Sequence, residues 1–313
     1  MKAILFIIAI ITAIALLAGI YITPVRNLIL AVGYERSLDT YSATDTTLTS
    51  VTSTQDAQGR NASLLSAFFG LDDALPALSS RVVCPGAAGK DGMPVIFSHE
   101  VDLETLEPGD FKVTKSSGDV GEIVCLTLAP ADDLGELRTV LLVGQYGSID
   151  DPPIRVEIIG NLLSLDNTLN FKGAKVDVIP LEAGPTLVWA EVIPQDEWAL
   201  ETTGTSIPFG GGNGCPAATK QIVRATWAGG ISKPEGRPVD DIERQLYEVE
   251  VIRRDQTIEH VAPIALADLG DGDNNHKLCL DTVDKVTSIS FPAGYLTDPR
   301  DDLNPETGVL ISK

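Results

Sequence analysis

The sequence predicts an all-β protein, two β-sandwich domains behind an N-terminal apolar helix. Three observations predict it. Short runs rich in Val, Ile, Leu and Thr recur from residue 93 to residue 312, separated by clusters of Gly, Pro and Asp. Gly (28) and Pro (19) together exceed their usual share, which favours turns and short strands over helix bundles. The four cysteines fall two to each half of the chain, as one staple per domain would require. A length of 313 residues suits two domains of roughly 150 residues each.

Residues 3–22, AILFIIAIITAIALLAGIYI, carry no charge. As a helix rising ~1.5 Å per residue they span about 30 Å, the hydrocarbon thickness of a bilayer. Pro24 and Arg26 end the run. Two readings of residues 1–24 compete: an uncleaved transmembrane signal anchor, or a signal peptide cut near Ala13-Ile14-Ala15. Both export the rest of the chain. The expected location is therefore the cell membrane, single-pass with exported C-terminal domains, or else a secreted or periplasmic state. The membrane is the expected partner of this helix. With 23 Lys and Arg against 44 Asp and Glu the net charge is −21, so a nucleic-acid partner is not expected.

Residues 25–77 read as a polar stalk with a short helix. The stretch 36–60 is rich in Ser, Thr and Asp and has little apolar area to offset the entropy of ordering. Asn61-Ala62-Ser63 matches the N-glycosylation sequon. The rival reading makes Asn61 the N-cap of a short helix over the following apolar run, stopped at Gly70.

The first sandwich is expected over residues 78–205. Its strands are 93–98, 111–115, 122–128, 137–144, 154–160, 174–179 and 186–193, with turns at Pro108-Gly109-Asp110, Ser117-Gly118-Asp119 and Ala183-Gly184-Pro185. The glycine-rich stretch 204–214 reads as a linker. The second sandwich is expected over 206–313, with strands at 220–228, 244–253, 257–266, 277–281, 286–291 and 308–312. Both regions open on Cys-Pro (Cys84-Pro85, Cys215-Pro216) and later carry a Cys between apolar neighbours (Cys125, Cys279). The order suggests disulfides Cys84–Cys125 and Cys215–Cys279. A duplicated β-sandwich would explain the likeness of the two openings, and chance would also explain so few matches. A zinc site is disfavoured, since no two cysteines are closer than 41 residues.

Residues 95–120, VIFSHEVDLETLEPGDFKVTKSSGDV, resemble the bacterial immunoglobulin-like repeats of S-layer and other surface proteins. The matching residues are Phe97, Ser98, Val101, Asp102, Leu106, Asp110, Phe111, Val113 and Gly118. The resemblance extends loosely over residues 93–180 and does not reach the second region. It implies an immunoglobulin-like sandwich acting as an exported spacer or interaction module, with Phe97 and Phe111 as inward anchors. It implies no catalytic residue.

Several groups are candidates for chemistry. Asp268, Asp271, Asp273 and Asn275 form an oxygen-rich loop that could hold calcium, although His276 and Thr282 stand where an EF-hand loop needs Gly and Glu. The alternative is an ordinary hairpin loop. His260 and His276 flank this loop and with Asp271 and Asp273 could form a metal site. A serine triad is not expected: Ser98 and His99 adjoin in sequence and would point to opposite faces of a strand. Trp198, among Gln195, Asp196 and Glu197, is the Trp best placed to stack on a ligand, whereas Trp189 and Trp227 read as core. The expected function is a surface or periplasmic binding or structural module with a protein or carbohydrate partner. The alternative is a metal-dependent hydrolase with its site in the C-terminal domain.

Overall fold

The computed structural model describes residues 45–312, apart from 134, 204–211 and 270–271. The apolar run 3–22, most of the expected linker and Asp271 lie outside the described residues. No helix among those described is long and apolar enough to cross a membrane.

The first sandwich pairs two antiparallel sheets. One is built from β1 (Leu64–Ala67), β2 (Asp91–Phe97), β4 (Glu122–Thr127) and β5 (Thr139–Gln145), in the order β1-β2-β5-β4. The other is β3 (Phe111–Lys115), β6 (Pro153–Ile158) and β7 (Lys175–Asp177), in that order. A single helical turn, α1 (Ser79–Val82), lies between β1 and β2. Alternation along the strands turns Met93, Val95, Phe97, Val140 and Leu142 toward Phe111, Val113, Val156 and Ile158, all buried. Phe97 meets Phe111 and Phe171 edge-on, with ring centroids 6.2 and 4.9 Å apart. Both phenylalanines of the surface-repeat resemblance are thus inward anchors. The two aspartates of that stretch shape the crossover between sheets. Asp102 accepts from the Glu104 N–H, and Asp110 accepts from the Glu107 N–H.

The second sandwich has sheets β12-β13-β9-β8 and β11-β10-β14-β15. Its strands are β8 (Leu187–Val192), β9 (Gln221–Trp227), β10 (Glu248–Ile252), β11 (Ile258–Val261), β12 (Ala265–Ala267), β13 (Asn275–Leu280), β14 (Lys285–Phe291) and β15 (Thr307–Leu310). A helical turn, α2 (Asp241–Arg244), is closed by an Asp240/Glu243 capping box. Trp227, Tyr247 and Phe291 fill the core. Read in chain order, β8-β9-β13-β12 repeats the arrangement of β1-β2-β5-β4, and β10-β14-β15 repeats β3-β6-β7. The second sandwich adds only β11 at one edge. The weak sequence likeness of the two halves is therefore matched by a shared strand topology.

Three expectations change. The run 62–69 carries the strand β1, Leu64–Ala67, rather than a helix. An isolated eight-residue helix is marginal in water, whereas pairing with β2 buries Leu64, Ala67, Phe68 and Phe69. The described part of the stalk is held to the first sandwich: Asn170 donates to Val51 O and Ser53 O, and Asn161 binds the Asp45 carboxylate. The boundary lies between Leu181, which packs in the first core, and Leu187, which packs in the second. The crossing includes Gly184, where an added Cβ would fall 2.0 Å from Leu303 O. Of the expected linker, the described residues 212–214 precede β9 in the second sandwich.

Both disulfides form, Cys84–Cys125 and Cys215–Cys279. Each pins the segment before the second strand of its sandwich onto an outer sheet face. Cys84, Leu75 and Ala87 cover Cys125 and Val143, while Cys215, Ile193 and Trp198 cover Cys279 and Ile222. The staples are similar but not equivalent. Cys125 lies on β4, whereas Cys279 lies on β13, the counterpart of β5.

Candidate functional site

Charged side chains gather where the sandwiches meet. Register places Glu191, Arg224 and Lys277 side by side on β8, β9 and β13. Two cations directly opposite would repel unless anions lie between them. Glu191 supplies one, with Oε1 2.6 Å from Arg224 Nη1. The first sandwich supplies the other. Glu136, fully buried in the β4–β5 connection, lies 3.3 Å from Lys277 Nζ and 3.6 Å from Arg224 Nε. Arg224 also donates to Gly135 O at 2.8 Å, and a Cβ on Gly135 would sit 2.5 Å from that guanidinium. Arg138 covers the Trp189 ring at 4.6 Å and approaches Glu191 at 3.5 Å. Asn274 donates to Thr139 Oγ1 across the same junction.

The Asp133, Glu136 and Asp268 carboxylates come within 4.8 Å of one another. The Lys277 ammonium is bonded to Asp268 and lies 3.3 Å from Glu136, two of these three carboxylates. Burial pushes the Glu136 carboxyl up to about 7; Asp268 adds to the rise, and Lys277 and Arg224 oppose it. Burial would also raise Asp268, but Lys277, the Gly212 N–H and Glu136 together outweigh it and the net shift is downward.

Of the calcium candidates Asp271 lies outside the described residues, and Asp268, Asp273 and Asn275 are bonded to other protein groups. Asp273 accepts from both the backbone and the side-chain N–H of Asn275, whose own Oδ1 accepts from Thr226 Oγ1. Asp268 binds Lys277 and the Gly212 N–H. Asp268, Asp273, Asn275 and His276 do line one cavity of about 230 Å³, with Ser232 and Arg237. His276 is buried and bonded through Nδ1 to Tyr247 Oη, which also accepts from Trp227 Nε1. Burial lowers its pKa to about 4, against the opposing pull of Asp268. His260 does not join it. Pro263 divides the expected strand 257–266, placing exposed His260 on β11 in the opposite sheet, beside Glu248.

Replacing Lys277 with Ala is expected to leave the three carboxylates facing an open site. The variant's melting temperature should then rise with added calcium chloride and fall with chelator, while the parent responds to neither; calorimetry with and without calcium checks both.

The two buried groups also predict opposing pH effects. Folded Glu136 is protonated below about 7, whereas unfolded Glu protonates only below 4.5, so its contribution falls as pH rises from 4.5 to 7. Folded His276 stays neutral down to about 4, whereas unfolded His takes a proton below 6.5, so its contribution falls as pH drops from 6.5 to 4. Glu136→Gln removes the first slope. The variant should therefore lose about 2–3 kcal/mol more than the parent between pH 6.5 and 4.5, at ~1.4 kcal/mol per unit. Parallel urea midpoints across this range would show that Glu136 does not titrate.

A Ser–His–Asp chain exists where sequence reasoning did not place one. β2 ends at Phe97, so Ser98 and His99 leave strand geometry, with Ser98 Oγ 2.9 Å from His99 Nδ1 and His99 Nε2 3.3 Å from Asp56. Ser98 Oγ also lies 2.9 Å from Asn61 O, and it accepts from the Ser63 N–H. This network ties residues 56–63 to β2. Bonds from Arg60, His99 and Gln58 outweigh desolvation and hold the Asp56 carboxyl well below its usual range. Trp198, the stacking candidate, donates Nε1 to Ile193 O and packs beside the Cys215–Cys279 disulfide. It also lines a cavity of about 200 Å³ with Asp133, Asp268 and Lys277.

No family model and no curated protein matches the chain. Among solved structures it is similar to the N-terminal part of the bacterial S-layer protein SbsC, at 10% identity and a TM-score of 0.26. The match covers 81% of this chain and 45% of that one, under half its length. Similarity of that degree defines no common fold, so roles follow from this chain's own residues.

Proposed function

We propose that the chain is an exported β-sandwich module, tethered to the membrane by its N-terminal apolar run and serving a structural or binding role at the cell surface or in the periplasm. The disulfide pair carries this reading. Such bonds persist in oxidising compartments, and all four cysteines are paired within buried clusters. The apolar run 3–22 supplies the route out of the cytosol, and the charge of −21 favours solubility there. The hydrolase alternative has less support: the two candidate histidines lie in different sheets, and the polar atoms around His276 are bonded to one another. Protease added to intact cells, or to cells opened only to the periplasm, tests the location. The sandwiches should become accessible before lysis. Protection until the cytosol is released would refute the proposal.

A further inference from the structure

Two side chains in the sequon Asn61-Ala62-Ser63 have no structural explanation. Asn61 is exposed and caps no helix, because the following run is β1. Its amide makes one long contact, accepting from Gln55 Nε2 at 3.4 Å. Ser63 engages the fold through its backbone, donating N–H to Ser98 Oγ and accepting from Ser98 N at its carbonyl. Ala62 between them is buried, as is Leu64. Extended backbone sends alternate side chains to opposite faces. Ala62 and Leu64 therefore hold the segment on the core, while Asn61 and Ser63 share the outward face. The segment follows a tight surface turn at Asp56–Arg60, where added bulk is readily accommodated. This is the single Asn-x-Ser/Thr match in the chain.

We infer that Asn61 is an acceptor for an N-linked glycan, attached during or after export. The donor is a lipid-diphosphate-linked oligosaccharide. Asn61 Nδ2 forms a bond to the anomeric carbon of the first sugar. The bond from that carbon to the diphosphate oxygen breaks, the lipid diphosphate departs with the electron pair, and Nδ2 loses one proton. A glycan here would follow Arg60, which with Ser98 and His99 lines a cavity of about 340 Å³.

The test is mass spectrometry of the full chain recovered from its own cell envelope. Tryptic cleavage after Arg60 and Arg81 isolates residues 61–81, which open on the sequon. The expected result is a glycan mass on this peptide, with fragment ions placing it on Asn61. Asn61→Gln and Ser63→Ala should each abolish it while keeping both disulfides and the parental melting temperature. The Ser63 variant matters most, since it leaves the acceptor amide in place. An unmodified 61–81 peptide from exported protein would overturn the inference, as would a modification that survives Ser63→Ala. The inference rests on the proposed export, which protease accessibility reports separately, so a chain that is exported but unmodified fails this inference and not that reading.

Discussion

Arg224→Ala should destabilise the protein by about 3–5 kcal/mol, the range for removing one partner from a buried ion pair. Arg224 is 2% exposed and serves Gly135 O, Glu191 and Glu136 together. Its loss leaves Glu136, with no exposed surface, with Lys277 as its remaining cation at 3.3 Å. It also frees the carbonyl of a loop from the other sandwich, so the damage spreads across the junction. Arg224→Lys keeps the charge but not the fork of donors and should recover only part of the loss. Urea unfolding followed by Trp fluorescence reads both variants. A loss below ~1 kcal/mol for the Ala variant would mean that the junction charges are solvated and hold nothing together.

Removing the Cys215–Cys279 bridge, with both residues changed to Ala, should lower stability by about 4 kcal/mol on the chain-entropy estimate for its separation of 64 residues. The Cys84–Cys125 bridge closes a separation of 41 residues, and its loss should be slightly smaller. The site of damage differs as well. Cys279 lies on a strand paired on both sides, with Ile222 and Ala265, so its loss also opens a gap between Ile193 and Trp198 and the sheet. Cys125 lies on an edge strand that loses its cover of Leu75 and Ala87. Equilibrium unfolding of both pairs of variants, beside the reduced parent, measures the two contributions. Equal unfolding of oxidised and reduced parent would contradict both values.

The sandwiches were legible because their strands alternate and their turns carry Gly, Pro and Asp. FKVTK is β3 at the expected bounds, and the two cysteine pairs follow chain order. The first strand was not legible. Its run is short, carries no turn residue until Gly70, and becomes a strand only because β2 lies beside it. The boundary was obscured for a related reason: Gly210-Gly211-Gly212 looks more like a linker than Glu182-Ala183-Gly184-Pro185 does. The charge cluster was hidden altogether. Arg224 sits inside an apolar run, 89 residues from the Gly135 carbonyl it binds, and only strand register shows Glu191, Arg224 and Lys277 as neighbours. The Ser98–His99–Asp56 chain was missed because an ideal strand was assumed through a bend.

Non-reducing peptide mapping of protein taken directly from cells, with free thiols blocked at lysis, tests the account most directly. Two linked peptide pairs are predicted, Cys84 with Cys125 and Cys215 with Cys279, and no blocked cysteine. Four blocked thiols, or a bridge from one sandwich to the other, would contradict it.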